Sequence, residues 1–159
     1  MAAINTIIED LTAALAADAT LTNWGVATYG QDVTILENCD PRNEPESDDC
    51  PLIIVFPGSK IAGVGQPNKS HVIEVSCGVY DSTKPVSAAG VVRFTGGRNV
   101  EIMRGYALDV IKDNIPANTE IHAIISDYNT IDNFPYVSIN MQIVITEPHA
   151  IGAGSNPFE

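Results

Sequence analysis

The side chains best suited to nucleophilic or metal chemistry in this sequence are three cysteines, Cys39, Cys50 and Cys77, and three histidines, His71, His122 and His149. No CxxC or HxxxH pair occurs among them, so the ligand spacing of a zinc site is missing. A histidine acting as general base needs a nucleophile and an orienting acid beside it. The sequence sets no serine or cysteine next to any of the three, so each reads as structural. Cys77 falls on the apolar side of an alternating segment and reads as a small core residue. An odd number of cysteines without a secretion signal predicts thiols. Cys39 and Cys50 flank one loop and are the pair that an oxidising setting would bridge.

Two further stretches invite a ligand. Gly58 and Gly63 have the G-x4-G spacing of a phosphate loop, but Val64 and Gly65 follow where lysine and serine or threonine would reach phosphate and magnesium. Gly63-Val64-Gly65-Gln66-Pro67-Asn68 fails as GxGxxG as well. The acidic run from Glu37 to Cys50 carries Asp40, Glu44, Glu46, Asp48 and Asp49, but not in the register of a calcium loop, and Pro41 and Pro45 break the turn that such a loop needs. No catalytic residue, cofactor or metal is therefore expected.

The elements that would position any site follow from periodicity. Ile4, Ile7, Ile8, Leu11 and Leu15 form one stripe and predict a helix over 4–17, with Ala13, Ala14, Ala16 and Ala17 favouring it. DVTILE (32–37) and LIIVF (52–56) read as strands, the second bounded by Pro57 and Gly58. Pro57 to Ser70 reads as a long connection. His71 to Tyr80 alternates, with Ile73, Val75, Cys77 and Val79 on one side. Asp81 to Arg98 reads as a second long connection in which VVRF could form a brief strand. A helix is predicted from about Asn99 to Asn114, with Val100, Met103, Ala107, Leu108 and Ile111 on its stripe and Pro116 beyond its end. Gly105, in its middle, marks either close backbone approach or a tolerated defect. Thr119–Ser126 and Tyr136–Thr146 read as an antiparallel hairpin, the latter with the clearest period-two pattern in the chain.

The pattern implies one α+β domain over 1–148. It has a mostly antiparallel sheet of four to five strands, with the N-terminal helix and the second long helix packed on one face. Long loops lie near 37–50, 57–70 and 81–98, and a loose tail over 149–159. Among its 159 residues no apolar run approaches the roughly 20 of a membrane helix, and Glu9 and Asp10 interrupt the amino-terminal stretch where a signal peptide would be apolar. The expectation is a chain made and kept in the cytoplasm.

Charge is abundant and uneven. The formal net charge is −12, which argues against a nucleic-acid clamp. From Lys60 to Arg104 six basic residues (Lys60, Lys69, Lys84, Arg93, Arg98, Arg104) face three acids, a net of +3, and everything else nets −15. Such a split reads either as a solvated acidic surface or as unlike faces that meet head to tail in a ring. In the second case those six basic residues, with Asp40, Glu44, Glu46, Asp48 and Asp49, are the candidate interface.

A long amphipathic N-terminal helix, a large loop after a central strand, the helix RNVEIMRGYALDVIKDNI and a closing strand pair ending in VSINMQIVIT resemble the tail-terminator (tail-completion) proteins of tailed bacteriophages and phage-tail-like particles. The chain departs from that layout in its long acidic insert, Glu37 to Cys50. The resemblance implies a non-enzymatic virion protein, assembled in the host cytoplasm. It implies a homo-oligomeric ring, hexameric in that family, that caps the tail tube and contacts the tube and neck (connector) proteins. DNA would pass through the channel without being held, which acidic walls favour. A head-completion, neck or tube protein of the same particle is the alternative. A small enzyme or ligand-binding domain would instead require a pocket with convergent polar groups.

Overall fold

The strand with the strongest alternation lies inside the sheet. In this computed structural model, which describes residues 4–38, 45–61, 69–117, 119–129 and 134–147, Tyr136–Glu147 pairs along both of its edges. The elements in chain order are α1 (Ile4–Ala17), α2 (Ala19–Tyr29), β1 (Thr34–Glu37), a short 3-10 turn (Ser47–Asp49), β2 (Leu52–Ile61), β3 (Lys69–Tyr80), α3 (Thr95–Asn114), β4 (Glu120–Asn129) and β5 (Tyr136–Glu147). The five strands form one sheet in the order β1-β2-β3-β5-β4. Among the described residues the β1–β2 pair is parallel and the β2–β3, β3–β5 and β4–β5 pairs are antiparallel. The fold is α+β with a mostly antiparallel sheet.

Strand alternation fixes which face carries the core. Ile53 and Val55 of β2, Ile73, Val75 and Cys77 of β3, and Ile139, Met141 and Ile143 of β5 all point to one face and are buried. The helices cover that face. Ile7, Ile8, Leu11 and Leu15 of α1 and Val100, Met103, Ala107 and Ile111 of α3 meet the strand residues in one cluster. Each such large side chain contributes about 1.5–3 kcal/mol by leaving water. Among the described residues, the opposite face draws no side chain of α1, α2 or α3 into its cluster. It holds a small cluster of Cys50, Leu52 and Ile54, with Leu36, Phe56 and Tyr136 against it. Beyond that cluster it turns polar, with Gln142 Nε2 donating to Glu74 Oε1 at 3.1 Å.

Several elements differ from the sequence-based expectation, among them β4, which runs on to Asn129. The helix α2 is additional. Its buried positions are Leu21 and Gly25 alone, too few to make a visible stripe. Asp18 caps it by accepting from the Leu21 N–H at 2.8 Å, and Gly30 closes it at φ 77°. Gly25 is needed because a Cβ there would stand 2.8 Å from the Gln31 carbonyl oxygen.

Strand β2 runs past Pro57 to Ile61, and β3 begins at Lys69, so the 57–70 connection is shorter than expected. Proline is tolerated because β1 stops opposite Val55 and the β2–β3 register slips between Pro57 and Lys60. Helix α3 starts at Thr95, before the pair Gly96-Gly97 that the sequence places in the connection. A Cβ at Gly96 would stand 3.2–3.3 Å from Asp81 and Val137, so the small residue serves close packing there. VVRF forms no strand, only the isolated bridge Val86–Val92.

Candidate interaction surface

The segment between β3 and α3 is a projecting arm rather than a structureless connection. Backbone bonds tie its two limbs together: Ser87 N–H to Val91 O (2.9 Å), Arg93 N–H to Pro85 O (3.0 Å) and Thr95 N–H to Thr83 O (3.2 Å). At the tip, Gly90 N–H donates to Ser87 O at 2.9 Å, and Gly90 takes φ 76°. The arm's base is fixed by aromatic contact. Phe94 meets Phe134 edge to face at 5.8 Å, and the Lys84 ammonium sits 4.4 Å from the Phe134 centroid and 5.6 Å from that of Phe94.

What the arm presents is apolar and basic. Val86 is 65% exposed, Val91 52%, Val92 50% and Phe94 55%. Arg93 and Arg98 line an open groove with Pro85, Val86 and Phe94, about 580 Å³ in volume. Single exposed apolar residues need no explanation, but Val86 and Phe94 share one groove with two arginines and Val92 bridges to Val86, which makes this the candidate contact surface.

The candidate interface residues do not form one cluster. Lys84, Arg93 and Arg98 come together on the arm and the first turn of α3. Arg104 stands apart: its Nε and Nη2 donate to Glu101 at 2.9 and 2.5 Å. Those bonds hold Glu101 below the usual carboxylate range and raise Arg104 further. Lys60 lies near the end of β2 and Lys69 at the start of β3. Of the acidic group, Glu46, Asp48 and Asp49 lie around the 3-10 turn, where Glu46 N–H donates to Asp49 Oδ2 at 2.8 Å. Asp40 and Glu44 fall outside the described residues.

The chemistry-bearing residues are spread through the fold. Cys77 is fully buried in the main core, and burial pushes its thiol up to about 12. Cys50 is a free, buried thiol raised to about 11, again by burial, and Cys39 lies outside the described residues. His71 is buried and His122 is exposed where β4 slips against β5. His149 lies outside the described residues. Among the described residues no group of three or more His, Cys, Asp or Glu side chains could hold a metal ion. No helix there is long and apolar enough to cross a membrane.

One polar junction was not visible in the sequence. Asn99 Nδ2 donates to Tyr29 Oη at 3.0 Å and reaches Asp81 Oδ2 at 3.5 Å, joining α2, α3 and the root of the arm. Burial, first of all, raises the Tyr29 hydroxyl to about 12. The only local signal was Asn99 beside the apolar stripe of its helix; its partners are 70 and 18 residues away in the chain.

Compared with protein-family models and with curated proteins, the chain matches none of them.

Proposed function

We propose that this protein is a structural ring subunit of a phage-type tail, a tail terminator that caps the tail tube and joins it to the neck. The arm carries this assignment: an exposed apolar ridge with basic side chains, built on an otherwise strongly acidic chain. A subunit of that make-up associates through unlike surfaces, and a head-to-tail contact closes into a ring when its rotation allows. The resemblance in layout supplies the station on the tube and the expected number of six subunits. The net charge of −12 suits a channel wall along which DNA slides without being gripped.

Incubating the purified protein with tail tubes and imaging the particles by electron microscopy tests the proposal. One closed ring at one end of each tube is expected. Long cylinders formed by the protein alone would instead identify a tube subunit. Bare tubes beside free monomers would overturn the assignment.

A further inference from the structure

The arm has a complementary surface on the same molecule, at the far end of α3. There the end of α1, the start of α2 and the last turns of α3 enclose an open cleft of about 580 Å³. Ala17, Tyr106 and Val110 give it apolar walls, and Asp18, Asp109 and Asp113 give it three carboxylates. Asp18 has one oxygen committed to the Leu21 N–H. Asp109 and Asp113 are exposed and free to meet cations, and Lys112, on the same turn, is not among the lining residues. The C-terminal end of α3 adds its own partial negative charge.

Arm and cleft cannot meet within one molecule. The arm leads directly into Thr95, the first residue of α3, whereas the cleft lies around residues 106–114 of the same helix. A helix of that length spans about 30 Å. The two surfaces match in chemistry: valine and phenylalanine with arginine on one, alanine, tyrosine and valine with aspartate on the other.

We infer that the arm of one copy docks into the α1–α2–α3 cleft of a second copy, Val86, Val92 and Phe94 entering the apolar part while Arg93 and Arg98 face Asp109 and Asp113. The contact is heterologous, so every subunit offers one arm and one cleft, and the axis of propagation runs along α3. This inference rests on the ring assignment for its biological setting, but the contact itself is a property of the chain.

Two variants of the full-length protein test it. Arg93→Glu/Arg98→Glu spoils the arm and leaves the cleft intact; Asp109→Lys/Asp113→Lys does the reverse. All four positions are at the surface of the helix or arm, and circular dichroism checks folding. Association is read by a short bis-maleimide between cysteines placed at Val92 and Ala17, in a Cys39→Ser background. Copies carrying only Val92→Cys and copies carrying only Ala17→Cys should crosslink when mixed, and neither should crosslink alone. The arm variant in the Val92→Cys copy, or the cleft variant in the Ala17→Cys copy, should cut the yield about tenfold, as expected for loss of charge complementarity. Placing both variants in the same mixture, one on each partner, should restore it, because the reversed charges again oppose one another.

No crosslink between native surfaces at high protein concentration would overturn the inference. So would a yield indifferent to the charge reversals. Closed rings on tubes without the 92–17 crosslink would defeat this contact and leave the terminator assignment standing. A crosslink with no ring on any tube would do the opposite.

Discussion

Cys77 shows how far the environment of a single residue decides its chemistry. It pairs with Ile53 on one side and Ile139 on the other, under α3, with no exposure. The thiolate would have to form without water, so the thiol stays protonated up to about 12 against an ordinary 9.0. Tyr29 is raised to about 12 and Cys50 to about 11, also first by burial. A group whose folded pKa is raised gives stability that is complete below its unfolded pKa and is lost as pH rises through the folded value. The contribution of these three groups should therefore be constant up to about pH 8 and be lost between about 9 and 12, measured as the urea midpoint against pH. Cys77→Ala should lower stability at pH 7 and make the alkaline fall shallower. Native Cys77 should also resist alkylation at pH 8 until the protein is unfolded. Gly105 gives the opposite lesson. A Cβ there meets nothing within 4 Å, so this glycine is a tolerated defect and not a site of close approach. Gly105→Ala should raise stability by about 0.5–1 kcal/mol, with the urea m-value unchanged.

At the scale of elements, what could be read was whatever left a dense apolar trace. Helix α1, strands β3 and β5 and the body of α3 bury four or more side chains each on one face, and their periodicity was plain. The helix α2 buries only Leu21 and Gly25, and its stability depends on its ends and on Trp24 meeting Tyr29 edge to face at 5.7 Å. No window average detects that. Asp18→Ala should cost about 1 kcal/mol by orphaning the Leu21 N–H, seen as a lower urea midpoint and weaker protection of the first turn of α2 in hydrogen exchange. Proline and glycine misled for a related reason. Pro57 ends a strand only when a neighbour needs its N–H, and here β1 has already stopped. Gly96 breaks a helix only when nothing rewards its small size, and here Asp81 and Val137 do. The arm was legible as composition but not as shape. Its order comes from backbone bonds between limbs, and turn-rich sequence does not reveal whether such bonds close.

At the scale of the whole molecule, the +3 segment found in the sequence divides into parts with different duties. Arg93, Arg98 and Lys84 gather at the arm, whereas Arg104 is bound to Glu101 on the flank of α3. Reversing each charge should therefore separate association from folding. Arg98→Glu removes a cation from an exposed apolar surface and, in the proposed docking of arm into acidic cleft, should weaken self-association about tenfold at low salt, read by sedimentation. The loss should shrink as salt rises, because the Debye length falls from about 10 Å at 0.1 M to about 3 Å at 1 M. Arg104→Glu breaks a partly exposed i,i+3 pair and sets two carboxylates side by side. Its cost should fall mainly on folding, at about 0.2–1 kcal/mol for the lost pair, with association nearly unchanged. Equal effects of the two reversals on association would mean that overall charge, rather than the arm, governs how copies meet. Persistence of wild-type association at 1 M salt would show that the valines and phenylalanine hold the contact while the arginines choose its partner, the division of labour that a desolvated apolar centre with a charged rim produces.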